Sequence, residues 1–262
     1  MVKRVLVTGG AHRLGQRICA QFAQDGWQVW CHAQHSLAAA QAWCQQIVAQ
    51  GGQAQAVQAN LGVEAERQRM MAHIVAHSGP LDCLVNNASS FEPDGASTFD
   101  EDDLRAQLEV NLIAPLALSR LMAQSLPANA VAGARSIVHV LDQKVFNLNP
   151  DYFSYTVSKL ALERSVALQA QALAPQIRVC GVAPGLMFLS GPQTQANFDQ
   201  ASQMNLLRRA IDPDQVAATC LFMANNPALT GVTLAVDNGQ HLVPLHRDVM
   251  FVVDGAPKEP HA

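Results

Sequence analysis

Seven short runs rich in Val, Ile and Leu alternate with longer stretches of helical periodicity along nearly the whole chain, and that rhythm admits few folds. The runs are Lys3–Thr8, Gln28–His32, Ala54–Gln58, Cys83–Asn86, Ser136–Leu141, Arg178–Ala183 and Thr233–Val236. Between them lie helical segments at Arg13–Asp25, Leu37–Ala49, Glu64–Ser78, Asp102–Ser125, Tyr152–Ala174 and Asp212–Asn225, the last opening on an Asp-Pro N-cap pair. Near-continuous apolar strands separated by helices predict βα units and a seven-stranded, doubly wound parallel sheet with helices on both faces. The 262 residues, 49% of them hydrophobic, suffice for one large core. No repeat, low-complexity tract or linker divides the chain, so 1–254 reads as one α/β domain and the polar stretch 255–262 as a loose tail.

No segment approaches the roughly 20 apolar residues of a membrane helix, and the start MVKRVLVTGG runs straight into a strand. A net charge of -4 without a Lys/Arg run provides no footprint for nucleic acid. The six cysteines are scattered inside apolar stretches, as expected of buried thiols in a reducing, cytoplasmic compartment. Neither they nor the nine histidines have a metal-ligand spacing, so no metal is expected.

The first strand ends in Thr8-Gly9-Gly10-Ala11-His12-Arg13-Leu14-Gly15, where a helix begins. Glycines there permit a tight turn and let a pyrophosphate approach the helix N-terminus, which makes this a Rossmann-type dinucleotide site. Users of NAD place an acid at the end of the second strand, but this chain has Cys31-His32-Ala33-Gln34-His35-Ser36. Arg13, His35 and Ser36 can donate to a 2′-phosphate that a carboxylate would repel, so NADP(H) is the expected cofactor. The alternative is that His35 and Ser36 only cap the next helix. Asn60 and Leu61 follow the third strand, where the adenine would lie, and Asn86, Asn87 and Ala88 follow the fourth, beside the ribose. At both places an ordinary polar turn remains the alternative.

Tyr155 and Lys159, four apart in a helical stretch, project from one face. A neighbouring ammonium favours the phenolate and is expected to lower the tyrosine pKa, making the pair a proton donor. Together with the glycine turn, Asn86-Asn87-Ala88 and Pro184-Gly185, the pair resembles the short-chain dehydrogenase/reductase family over nearly the whole chain. The resemblance implies that Tyr155 protonates the substrate, that Lys159 binds the nicotinamide ribose, and that Asn111 holds a water.

Two positions depart from that family's usual pattern. Its serine thirteen residues before the tyrosine is Asp142 here, and the middle glycine of its T-G-x-x-x-G-x-G turn is Arg13. A carboxylate would repel a developing carbonyl oxyanion but suits a substrate that presents N–H donors. With Asn87-Ala88-Ser89-Ser90-Phe91, these features are similar to pteridine reductases. That likeness implies a pterin stacked on Phe91 and bound or protonated by Arg13, Ser89, Asp142 and Tyr155. The expected activity is NADPH-dependent reduction of a dihydropterin, of the dihydrobiopterin or dihydromonapterin type. A carbonyl or 3-oxoacyl reductase that lost its serine is the competing reading, and a non-catalytic NADP(H) sensor is the third.

The stretch 184–212, with Gly185, Gly191, Pro192 and an amphipathic piece around Phe198–Leu207, reads as a lid over the substrate. The family resemblance implies a homo-oligomer, a tetramer, paired through the helices at 102–125 and 152–174. The apolar segment His241–Val253 is expected to pack on its own sheet or to reach a neighbouring subunit.

Overall fold

The computed structural model describes residues 2–191 and 193–253. Pro192 and the tail 255–262 therefore lie outside the described residues. All seven expected strands form: β1 (Arg4–Val7), β2 (Gln28–Ala33), β3 (Gln53–Gln58), β4 (Cys83–Asn86), β5 (Arg135–Val140), β6 (Ile177–Pro184) and β7 (Thr233–Val236). They pair in parallel in the order β3-β2-β1-β4-β5-β6-β7. The order reverses between β1 and β4, which opens a crevice at the carboxyl ends of the strands.

Alternation along the strands builds two apolar layers. Val5, Val7, Val138, Val140, Cys180 and Val182 face one side, under α1 (Arg13–Gln24), α2 (Leu37–Ala49) and α8 (Pro213–Asn225). Leu6, Leu84, Ile137, Val179 and Ala183 face the other, under α3 (Glu64–Ser78), α5 (Ala114–Gln124) and α6 (Phe153–Leu173). Each buried Val, Leu or Ile side chain among them contributes about 1.5–3 kcal/mol, so the sheet is a rigid base for the loops at its carboxyl edge. Among the described residues no helix is long and apolar enough to cross a membrane.

Three local expectations are corrected. The helix expected over 102–125 is α4 (Glu101–Leu108) joined to α5 by a π turn, Glu109–Ile113. Within 184–212 the helix is α7 (Gln195–Ala201), started by Thr194, whose hydroxyl accepts from Asn197 N at 3.2 Å. Leu206 and Leu207, which suggested a helix farther along, are 58% and 57% exposed. The C-terminal segment, with α9 (Val249–Val253), joins an apolar cluster with Tyr152, Tyr155 and Phe91 of the same chain instead of lying on the sheet.

Candidate active site

A cavity of about 530 Å³ follows the carboxyl edge of the sheet, within the usual size range of small-molecule sites. Its walls include Gly9, Arg13, Leu14, Gly15, Leu61, Asn87, Ala88, Ser89, Phe91, Asp142, Tyr155, Lys159, Pro184 and Gly185, all of them sequence candidates. His35, Ser36, Asn60 and Asn111 are outside that lining.

At one end the wall is backbone. Gly9 has φ +64°, and a Cβ on Gly15 would sit 2.1 Å from Gly9 O, so neither position accepts a side chain without rebuilding the turn. Arg13 takes φ +49° where the family's glycine would be at ease, a strain of order 1 kcal/mol or more. Its Nη2 donates to Leu189 O at 3.1 Å, and the guanidinium lies 6.0 Å from the Phe188 ring. His12, the N-cap of α1, makes no side-chain capping bond and the first turn holds no acid, leaving the helix end suited to an anion. The turn is latched from below. Thr8 Oγ1 accepts from Asn87 N and Ala88 N, and Asn87 Nδ2 donates to Thr8 O and Gly9 O.

At the end of β2, His32 and Gln34 line the cavity and neither is a carboxylate. His32 Nε2 donates to Ala59 O at 3.0 Å, which leaves Nδ1 to accept from Gly9 N at 3.1 Å. Burial holds its pKa below the ordinary value. His35 is exposed, and Ser36 sits at the α2 N-cap without a side-chain capping bond. Asn60 Oδ1 accepts from Gly62 N in a local turn, leaving Leu61 as the group facing the cavity.

Asn111 is fully buried at the centre of the π turn. Its Oδ1 accepts from Ser90 N and Ser89 Oγ, and its Nδ2 donates to Ser90 O and Ser158 Oγ. Those four bonds fill the side chain's capacity, so it clamps the Ser89–Ser90 loop to α6. π turns of this kind recur at functional sites.

The reacting groups lie at the other end. Tyr155 Oη donates to Asp142 Oδ2 at 2.9 Å, and Lys144 N donates to Asp142 Oδ1 at 2.8 Å. Lys159 Nζ donates to Val140 O at 2.9 Å and stands 5.6 Å from the Tyr155 ring centroid. The expected lowering of the tyrosine pKa is reversed. Burial, then the nearby Asp142 charge, push Tyr155 well above its ordinary value, because the carboxylate touches the phenol and the ammonium does not. Burial also lowers Lys159 to about 8 and raises Asp142, the latter against the pull of Lys144. Phe91 meets the Tyr155 ring edge-on at 4.6 Å, and one of its faces is stacked on Tyr152 at 4.2 Å.

Sequence reasoning missed His32, Lys144, Tyr152, Asp151, Arg247 and Asp248. One signal was present: the chain has two tyrosines, and both fall within one helical turn, at 152 and 155. Arg247 and Asp151 form a forked ion pair across 96 residues, a pairing for which no local pattern exists.

The family described as Enoyl-(Acyl carrier protein) reductase matches residues 9–241. A 3-oxoacyl-[acyl-carrier-protein] reductase FabG of Staphylococcus epidermidis is 28% identical over 92% of this chain and 100% of its own length. An uncharacterized oxidoreductase of Mycobacterium tuberculosis is 30% identical over 90% of this chain and 91% of its own. Among solved structures, FolM alternative dihydrofolate reductase 1 from Brucella canis, complexed with NADP, is 37% identical with a TM-score of 0.86, covering 92% of this chain and 94% of that one. Its counterpart from Brucella suis, also in complex with NADP, is 36% identical with a TM-score of 0.87, covering 92% and 97%.

Proposed function

The chain belongs to the short-chain dehydrogenase/reductase family, and from that premise we propose that it is an NADPH-dependent reductase of dihydropterins. The observation that carries this reading is the 2.9 Å bond from Tyr155 Oη to Asp142 Oδ2, where a carbonyl reductase would place a serine hydroxyl. A carboxylate beside the proton donor repels an oxyanion and accepts from ring or exocyclic N–H groups. The likeness to two NADP-bound FolM structures at 37% and 36% identity supports the same reading.

The cofactor's fit rests on this chain's own atoms. Gly9 and Gly15 leave room that a Cβ would fill, the α1 N-terminus lacks a side-chain cap, and Arg13, His32 and Gln34 line the cavity with no carboxylate at the β2 end, just before His35 and Ser36 in the chain. NADPH, when bound, supplies the hydride. Tyr155 is held protonated at neutral pH by burial and by Asp142, so its Oη carries a proton ready to be turned toward a ring nitrogen of the substrate. Lys159, 5.6 Å from the Tyr155 ring centroid, would stabilise the phenolate left behind. Arg13, Ser89 and Phe91 line the wall on which a flat heterocycle would lie, with Phe91 backed by Tyr152 and 184–212 as the covering lid.

A 3-oxoacyl or other carbonyl reductase is the second reading, favoured by the FabG relatives and the family match. The Asp142→Ser variant separates the two. The pterin reading expects dihydropterin turnover to fall about a hundredfold, within the range for one acid–base partner. The carbonyl reading expects ketone or 3-oxoacyl turnover to rise. No NADPH oxidation with any dihydropterin at saturating protein, beside turnover of ordinary ketones, would decide against the first.

A homotetramer and a cytoplasmic location belong to this reading. Ile113 on the π turn and Leu168 on α6 are 44% and 67% exposed, apolar surface of the kind an oligomer covers. Six free, buried thiols suit a reducing compartment. Light scattering on the eluted protein tests the oligomer.

A further inference from the structure

We infer that residues 247–251 are a specificity element, lashed across the substrate end of the cavity by two ion pairs and confining the site to compact substrates.

Asp248 and Val249 are part of the cavity wall on the same side as Asp142, Lys144 and Tyr152. Met250 is 4% exposed and closes an apolar cluster with Tyr152 and Tyr155, against which Phe91 and Phe251 pack. The side chains on which a substrate would rest are therefore backed by the C-terminal segment of the same chain.

The anchoring is stronger than apolar contact alone would make it. Arg247 forks onto Asp151 with Nε–Oδ2 and Nη2–Oδ1 distances of 2.8 and 2.7 Å. Asp248 N donates to the same carboxylate at 2.7 Å. Burial alone would raise the Asp151 carboxyl, and the arginine fork together with the backbone donor more than reverses this, so it is ionised at neutral pH. One residue on, Asp248 Oδ2 meets Lys144 Nζ at 2.8 Å, with the lysine side chain 3% exposed. The lysine has a further acceptor in Asn149 Oδ1 at 2.8 Å. A third tie runs to α7, where Asn197 Nδ2 donates to Met250 O at 2.8 Å.

Losing Asp248 would strand the Lys144 ammonium, which is buried, while the half-buried Arg247 fork constrains through its bidentate geometry. Two ion pairs on consecutive residues fix where 249–251 can lie. The helix Val249–Val253 is one turn long and could not hold a position by itself. A flat bicyclic ring fits a site closed in this way, whereas a long acyl chain needs that end open. The inference rests on the proposed reductase activity, and on the pterin reading for the identity of the compact substrate.

The test uses the full-length protein. Arg247→Ala removes one half of the fork without altering a residue in contact with the cofactor end, and Arg247→Lys keeps the charge while losing the bidentate geometry. Peptide-level hydrogen exchange over 247–253 reports whether the segment is released. Two kcat/KM ratios report selection: dihydrobiopterin over dihydrofolate, and a four-carbon over a twelve-carbon 3-oxoacyl thioester. Arg247→Ala is expected to speed exchange in the segment and to lower the compact-over-extended ratio about tenfold or more, the scale on which pocket walls discriminate, with NADPH affinity held within about twofold. Arg247→Lys falls between. Unchanged exchange in Arg247→Ala overturns the lashing, and release with an unchanged ratio overturns the specificity role. If the wild-type protein reduces thioesters and no pterin, the pterin reading fails while the thioester ratio still decides this one.

Discussion

The two ends of the cavity are built from different materials. At the glycine turn the wall is main chain: Gly9, Gly15 and the uncapped start of α1 present shape and N–H groups, and few side chains intervene. At the substrate end the wall is side chains, with Asp142, Tyr155, Lys144, Asp248 and Lys159 gathered in a largely buried cluster. The first end should therefore be sensitive above all to volume and to the shape of the turn. The second should tolerate changes of shape better than any change of charge or protonation, because desolvated charges interact strongly.

Removing one oxygen at the charged end gives the largest expected effect. Tyr155→Phe keeps the ring that packs against Phe91 at 4.6 Å and deletes the proton. We expect kcat to fall about a thousandfold with NADPH affinity nearly unchanged, read by steady-state turnover beside fluorescence titration of the cofactor. A comparable loss of cofactor binding would break the division between the ends. Adding one methyl at the other end tests the converse. In Gly15→Ala the new Cβ would fall 2.1 Å from Gly9 O and 2.7 Å from Asn87 Nδ2, so the turn must move. NADPH affinity is expected to drop about tenfold or more and stability by about 1–3 kcal/mol, the usual penalty for overpacking. Calorimetry of the free and NADPH-bound protein measures both.

The same contrast governs how much was legible in the sequence. The seven strands and the turn Thr8–Gly15 follow from local pattern, since strand burial and glycine geometry are properties of neighbouring residues. Tyr155, Lys159 and Asp142 were legible through their spacing. The π turn at Glu109–Ile113 was not: Pro115, whose missing N–H interrupts the α ladder, marks a break, but the contacts of Asn111 that fix the turn reach Ser90 and Ser158. The pairs Arg247–Asp151 and Lys144–Asp248 were invisible for the same reason, each joining residues about a hundred positions apart. Even the sign of the Tyr155 shift was misjudged from Lys159 alone, because it depends on burial and on Asp142 being nearer.

Lys144→Met sharpens the charged end further. Asp142 is raised by burial and pulled down chiefly by Lys144, with Tyr155 also lowering it and Asp248 raising it. Deleting the ammonium removes the main opposition, so the Asp142 pKa rises and the acid limb of kcat/KM moves to higher pH. The move is read from the acid limb of a kcat/KM profile measured beside the wild type. Lys144→Arg should restore the limb, whereas a uniform loss at every pH would assign Lys144 a structural role only.

The smallest effect lies at the main-chain end, where one side chain does intervene. His32 ties Gly9 N to Ala59 O, and the tie requires a neutral ring, since protonated Nδ1 cannot accept. Burial lowers its pKa below 6.5, so the unfolded chain takes up a proton near pH 6.5 that the folded chain refuses. Stability from this group is thus complete above that pH and declines as the pH falls below it. His139, buried between β5 and α6 and lowered to about 4, gives a slope of the same sign down to about that value. His32→Leu should flatten the upper part of the acid decline in stability and leave the His139 part. It should also weaken NADPH about fivefold at neutral pH, the scale of one lost hydrogen bond to a backbone donor. In the wild type that same weakening should appear as the pH drops and His32 takes up its proton, and in His32→Leu it should already be present at pH 8. Cofactor titrations at several pH values read it directly. Parallel pH dependence in the two proteins would mean that the glycine turn holds its shape through backbone packing alone.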